Sequence, residues 1–155
     1  MPIRLYRLAH WLWQRGIPVL PQLLKIINRI VFSVVLPPSA NRGKGVLLGD
    51  HGLGTVIHRR AVIGENPVIG TGVTIGGRSG HEAAPVVGNG AMVGSGAKVL
   101  GPIKIGRHAS IGANAVVLSD IPDYAVAVGI PARVVRIMPV DEVPDYFAFS
   151  PPGSK

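Results

Sequence analysis

The sequence predicts an all-β solenoid preceded by a short helical segment. Three observations carry this: a six-residue period of aliphatic side chains, a glycine locked to that period, and 21 Gly with 14 Pro in 155 residues. Such a share of turn formers is almost twice the average. It signals disorder, collagen or a turn-dominated fold. A hydrophobic content of 47% excludes disorder, because a chain this apolar collapses. Collagen requires glycine at every third position, and no such run occurs. The length fits one domain with a core large enough to fold without staples.

Residues 1–35 read as two short helices. Arg15, Lys25 and Arg29 interrupt the apolar run, and Pro18 and Pro21 break any single helix, so no bilayer-spanning segment is expected. No small-residue cleavage site follows an apolar core, which argues against a signal peptide. In the second helix Leu23, Ile26, Ile27, Ile30, Val31 and Val34 follow the spacing of one apolar face. The first carries Tyr6, Trp11 and Trp13 among Arg4, Arg7 and Arg15. Packing on the main domain or on a neighbouring subunit is the expectation for these helices. Peripheral contact of the basic helices with a membrane surface is the other reading. No Asp or Glu occurs before Asp50. The aromatics do not recur as a nucleic-acid stacking platform requires, so no nucleic-acid partner is expected.

From Ile57 the period of six takes over. Ile57, Ile63, Ile69, Ile75, Val87, Val93, Val99, Ile105, Ile111 and Val117 share one phase. Positions six apart on a helix differ by about two-thirds of a turn, so a helix cannot use this pattern. A solenoid with three flat sides, one hexad to a side, stacks the phase residue inside it coil upon coil. Glycine follows the phase residue at 64, 70, 76, 88, 94, 106 and 112, as expected at corners or close backbone approaches. The slot at 81 holds His81 instead of an aliphatic, which marks a loop over 77–85 thrown out from the coil. The domain is therefore set at 36–138, with an extended tail over 139–155 whose Phe147 and Phe149 are candidates for docking on a neighbour.

There is no cysteine, which excludes disulfides, thiolate ligands and a cysteine nucleophile and fits a cytoplasmic protein, with the inner face of the membrane as a further site. The five histidines show no i, i+4 pair with a carboxylate, so no metal is expected. His10, His58 and His108 read as structural or exposed. His51 follows the first acid of the chain and precedes Gly52, and a neutral imidazole suits a general base. A solvent-exposed or structural histidine is the alternative on residues alone. Asp50, if the segment is a strand, points to the face opposite His51. His81 is open between binding an acceptor, assisting the base and capping the loop. Arg133 and Arg136 suit phosphate groups, or a solvated surface.

The hexads resemble the left-handed parallel β-helix acyltransferases, and the handedness is taken from that resemblance. YRLAHWLW at 6–13, GDHG at 49–52, TIGG at 74–77 and GIPAR at 129–133 resemble segments of the serine acetyltransferases, over about residues 5–136. The resemblance implies an acetyl-CoA-dependent O-acetyltransferase working as a homotrimer, with the cofactor between adjacent β-helices. It implies His51 as the catalytic base and Asp50 and His81 as acceptor-binding groups. Gly76, Gly77, Ser95 and Ala113 match positions along which the pantetheine arm of acetyl-CoA lies.

The departures are specific. The family's helical extension before Tyr6 is missing, and so is the carboxylate expected about fifteen residues before His51. The loop is shorter, with Arg78 as the substitute for an Arg directly before His81. In these respects the chain is also similar to acetyltransferases of bacterial exopolysaccharide biosynthesis. The acceptor is thus L-serine or a sugar hydroxyl of a glycan, and a non-catalytic β-helix scaffold is the reading from a different class.

Overall fold

The computed structural model describes residues 2–17 and 19–144. Helix α1 (Pro2–Gln14) and helix α2 (Val19–Phe32) pack on each other through Ala9, Leu12 and Leu24. Helix α1 then docks on the first coil. The buried Tyr6 donates its hydroxyl to the Ala40 carbonyl, His10 bonds through Nδ1 to the Pro38 carbonyl, and the Arg42 guanidinium lies 3.6 Å over the Tyr6 ring. Burial pushes the Tyr6 phenol above its ordinary pKa and the Arg42 guanidinium below its own.

Beyond Val34 the chain winds as a parallel solenoid of short strands on three faces. Face I stacks Asn41–Arg42, Val62–Ile63, Val86–Val87 and Lys104–Ile105. Face II stacks Leu47–Leu48, Val68–Ile69, Met92–Val93, Ser110–Ile111 and Ala125–Val128, then adds Arg133–Ile137 antiparallel. Face III stacks Val56–Ile57, Thr74–Gly76, Lys98–Leu100 and Val116–Val117. All ten phase aliphatics point inward and are no more than 2% exposed. Ala61, Val73, Ala91, Ala97, Ala109 and Ala115, two residues earlier in each hexad, are buried beside them. The core is therefore a column of β-branched side chains separated by small ones, and each coil buries only what its neighbours cover.

The glycine after each phase residue has a more specific cause than a corner. A Cβ on Gly70, Gly94 or Gly106 would lie no farther than 2.8 Å from backbone atoms of the next coil. None of these three has a positive φ. The left-handed corners fall two residues later, at Asn66, Gly72, Gly90, Gly96, His108 and Asn114. There the amide reaches back to the preceding coil, as in Gly96 to Thr71 (2.8 Å) and Asn114 to Ser95 (2.9 Å). Asn tolerates this conformation better than other non-glycine residues, which incur about 1–2 kcal/mol. Asn114→Ala is accordingly expected to lower stability by about 1 kcal/mol, while Asn114→Gly stays within about 0.5 kcal/mol of the parent. Chemical denaturation of the two variants reads the difference.

Two insertions interrupt the regular coil. Val62 pairs with Val86 twenty-four residues on, whereas Val86 pairs with Lys104 after eighteen, so the 77–85 segment adds one hexad. Leu47 pairs with Val68 after twenty-one, so three residues are added at Gly49–Gly52. Two expectations change. Leu23, Ile26, Ile27, Ile30 and Val31 do share one side of α2, but the main domain does not cover it: all five are exposed. Helix α2 meets α1 through the side carrying Leu24 instead. Of the tail, Val140–Glu142 forms one 3-10 turn. Asp145, Phe147 and Phe149 lie outside the described residues.

Candidate active site

The Gly49–Gly52 insertion occupies the corner between faces II and III of the first coil. Asp50 (φ 39°, ψ 51°), His51 (φ 60°, ψ 16°) and Gly52 (φ 82°) are three consecutive residues with positive φ. The segment is thus a tight turn, not the strand expected from sequence. Strand alternation consequently says nothing about Asp50, and both Asp50 and His51 stand exposed on the turn. Two non-glycine residues in this region are strained, and such strain collects at functional sites where surrounding structure enforces it.

The enforcement is visible beneath the turn. Gly52 is buried, and a Cβ there would lie 2.9 Å from Leu48 and 3.1 Å from Val34. The amide of Thr55 bonds the Gly52 carbonyl at 2.8 Å, that of Gly54 bonds the Ser33 carbonyl at 3.0 Å, and the buried Thr55 hydroxyl donates to Gly70 at 3.2 Å. So the end of α2 and the second coil hold the turn from below while the imidazole projects outward. Among the described residues no group hydrogen-bonds the His51 ring. The site fifteen residues earlier is Leu36, part of the core.

The same corner continues down the prism. Each II-to-III corner rests on the next: Gly49 lies against Gly70 and Thr71, Gly70 against Ser95, and Gly94 against Ala113. His51, Ser95 and Ala113 therefore lie along one edge, with His51 at the end nearest the helices.

The other candidates occupy a different edge. Gly76 ends a strand of face III, and Gly77, Arg78 and His81 follow on the III-to-I corner. The loop is tied to that corner. Arg60 donates to the Glu82 carbonyl (3.0 Å) and pairs with its carboxylate (3.4 Å), the Arg78 side chain approaches Gly101, and the His81 amide bonds the Arg78 carbonyl (3.0 Å). His81 and Arg78 are both exposed. Gly76 and Gly77 are not required by packing. A Cβ on Gly76 would meet only the tip of Leu100 at 3.1 Å and Thr74 at 3.4 Å, and one on Gly77 would come no nearer than 3.6 Å to His58. One face, at most about 20 Å for six extended residues, separates the two sets within a chain.

The remaining residues fall outside both sets. His108 stacks on Tyr124 at 5.5 Å between centroids, His58 accepts the Arg60 amide through Nδ1, and His10 supports α1. Arg136 pairs with Glu142 at 3.3 Å. A groove on face I between Lys104, Arg107, Asp120 and Asp123 contains no candidate residue. Sequence reading missed the split between edges, for which the signal is the modulus of each position within the eighteen-residue coil.

Comparison with known proteins bears on this arrangement. Residues 84–119 match the family described as bacterial transferase hexapeptide (six repeats). Over those residues the chain is similar to the hexapeptide-repeat transferases. Over most of its length it is similar to serine acetyltransferases. It is 43% identical to the serine acetyltransferase of Synechococcus elongatus over 149 residues, covering 90% of this chain and 61% of that protein. Against the Escherichia coli K12 serine acetyltransferase the identity is 42%, over 86% of this chain and 49% of the relative. The crystal structure of Brucella abortus serine acetyltransferase in complex with coenzyme A superposes with a TM-score of 0.85 at 34% identity, over 88% of this chain and 55% of that one. The fold is thus the left-handed β-helix that the hexads resemble. The chain spans between about half and three-fifths of these relatives.

Proposed function

We propose that the chain is an acetyl-CoA-dependent serine O-acetyltransferase in which His51 is the general base. The observation that carries this is the strained, supported turn that presents His51 at the head of an edge continuing through Ser95 and Ala113. The similarity to serine acetyltransferases, one of them a coenzyme A complex, supports the donor and the acceptor. In this reading the extended arm of acetyl-CoA lies along the edge, where the coil backbone is open to it. His51 takes the hydroxyl proton of L-serine as the oxygen attacks the thioester carbonyl. The tetrahedral adduct then expels the thiolate of CoA, and the imidazolium returns the proton to it.

Asp50, beside His51 on the turn, is suited to the serine ammonium. Gly76, Gly77, Arg78 and His81 enter the same site only from a neighbouring chain, because they stand on another edge. A homotrimer of prisms supplies that pairing: the II-to-III edge of one copy faces the III-to-I edge of the next. Light scattering on the purified chain is expected to give the mass of three copies. The function is tested by assaying acetyl-CoA with L-serine against sugar acceptors. Serine turnover at ordinary enzymatic efficiency supports the assignment, and acetylation of sugars alone overturns it.

A further inference from the structure

Helix α2 presents an unusual outer surface. Val19, Leu20, Leu23, Ile26, Ile27, Ile30 and Val31 are all exposed, Val19 and Ile30 to 75%. At 100° per residue they occupy one continuous arc of about 140°. Arg29 lies nearest the edge of that arc, Lys25 is half-buried on the opposite side of the helix, and the buried Leu24 and Asn28 lie past the arc's other edge, where Leu24 packs on α1. On α1, Trp11 and Trp13 are each 46% exposed, with Arg4, Arg7 and Arg15 also exposed and Arg15 lying 3.8 Å over the Trp11 ring. Apolar patches of this extent on a folded domain mark a surface with an occupant.

We infer that the α1–α2 hairpin is a docking element for an anionic lipid bilayer, lying in its surface. Charge selects this occupant. Arg4, Arg7, Arg15 and Arg29 are exposed on the same hairpin as the apolar arc, and among the described residues none of them pairs with a carboxylate. A second copy of the hairpin laid on the arc would bring its own cations against these, with no acid before Asp50 to offset them. Anionic headgroups supply the missing charge, the acyl region takes the isoleucines, and exposed tryptophans suit the boundary between the two. No helix among the described residues is long and apolar enough to cross a membrane, so the hairpin lies flat. Because α1 is fixed to the first coil through Tyr6, His10 and Arg42, docking the hairpin carries the solenoid with it. This inference does not depend on the acetyltransferase reading.

The test is flotation of the full chain with vesicles of phosphatidylcholine alone or mixed with phosphatidylglycerol. The protein is expected to float with the mixed vesicles and not with the neutral ones, and high salt is expected to weaken binding. The double variant Ile26→Asp/Ile30→Asp should bind at least ~10-fold more weakly, and so should Arg15→Glu/Arg29→Glu. All four positions are exposed, so thermal melting should match the parent and serves as the control for folding. Failure to float with anionic vesicles overturns the inference, as does binding that survives both variants. A third result also overturns it: variants that leave vesicle binding intact but change the oligomeric mass by light scattering would assign the arc to a second copy.

Discussion

Replacing His51 by Ala is expected to lower kcat for acetyl transfer at least ~10²-fold, with the affinity for CoA nearly unchanged. The size follows from the chemistry. A serine hydroxyl is a poor nucleophile until its proton is removed as attack proceeds, and the turn places no second imidazole beside His51. The retained affinity follows from geometry. The imidazole stands at the head of the II-to-III edge, whereas Ser95 and Ala113 lie farther down it, on coils that the substitution does not touch. The fold is also unaffected, since His51 is exposed and its ring makes no hydrogen bond among the described residues. Steady-state kinetics with a parallel CoA titration read both quantities. Near-normal turnover in His51→Ala would remove the histidine from the mechanism, whatever the acceptor.

The orientation of that imidazole is where this chain differs from the expected pattern. A carboxylate that holds a catalytic histidine in one tautomer is replaced at the expected distance by Leu36, which is buried in the core. The backbone of the turn therefore takes a larger share in aiming the ring, with φ at His51 fixed by Gly52, Val34 and Thr55 below it. Gly52→Ala tests this indirectly. Its φ of 82° and the close approach to Leu48 mean that any side chain shifts the turn, so kcat should fall with little loss of CoA binding.

The solenoid was readable because its period is dictated by burial. A residue pointing into a prism one hexad wide must be aliphatic, and ten in one phase leave no other geometry. The turn at Gly49–Gly52 was not readable in the same way. Nothing in GDHG distinguishes a strand from a left-handed turn, and it is the strand pairing, such as Leu47 with Val68 twenty-one residues on, that betrays three inserted residues. The outer face of α2 was found by periodicity, but periodicity cannot say whether an apolar face is covered. That depends on where α1 lies, which Tyr6 and His10 decide through carbonyls of Pro38 and Ala40.

The glycines give the second large effect, and they separate packing from function. Gly106 follows the phase residue Ile105 at a corner with no part in the candidate site. A Cβ there would press on the backbone of Pro122 and Asp123 at 2.3 to 2.6 Å. Backbone cannot swing aside as a side-chain tip does, so the coils must separate locally. Gly106→Ala is expected to cost about 3 kcal/mol, the upper end for overpacking, and to lower Tm by about 6–12 °C at this chain length. Gly76 holds the same slot in its hexad, yet its neighbours are only the tips of Leu100 and Thr74, because the strand runs on into the inserted loop. Gly76→Ala should therefore melt within about 2 °C of the parent. If acetyl-CoA passes over this strand, the same methyl group raises the KM for acetyl-CoA while stability holds. Equal destabilisation by the two substitutions would mean that Gly76 is a packing glycine like the others, and would remove it from the cofactor path.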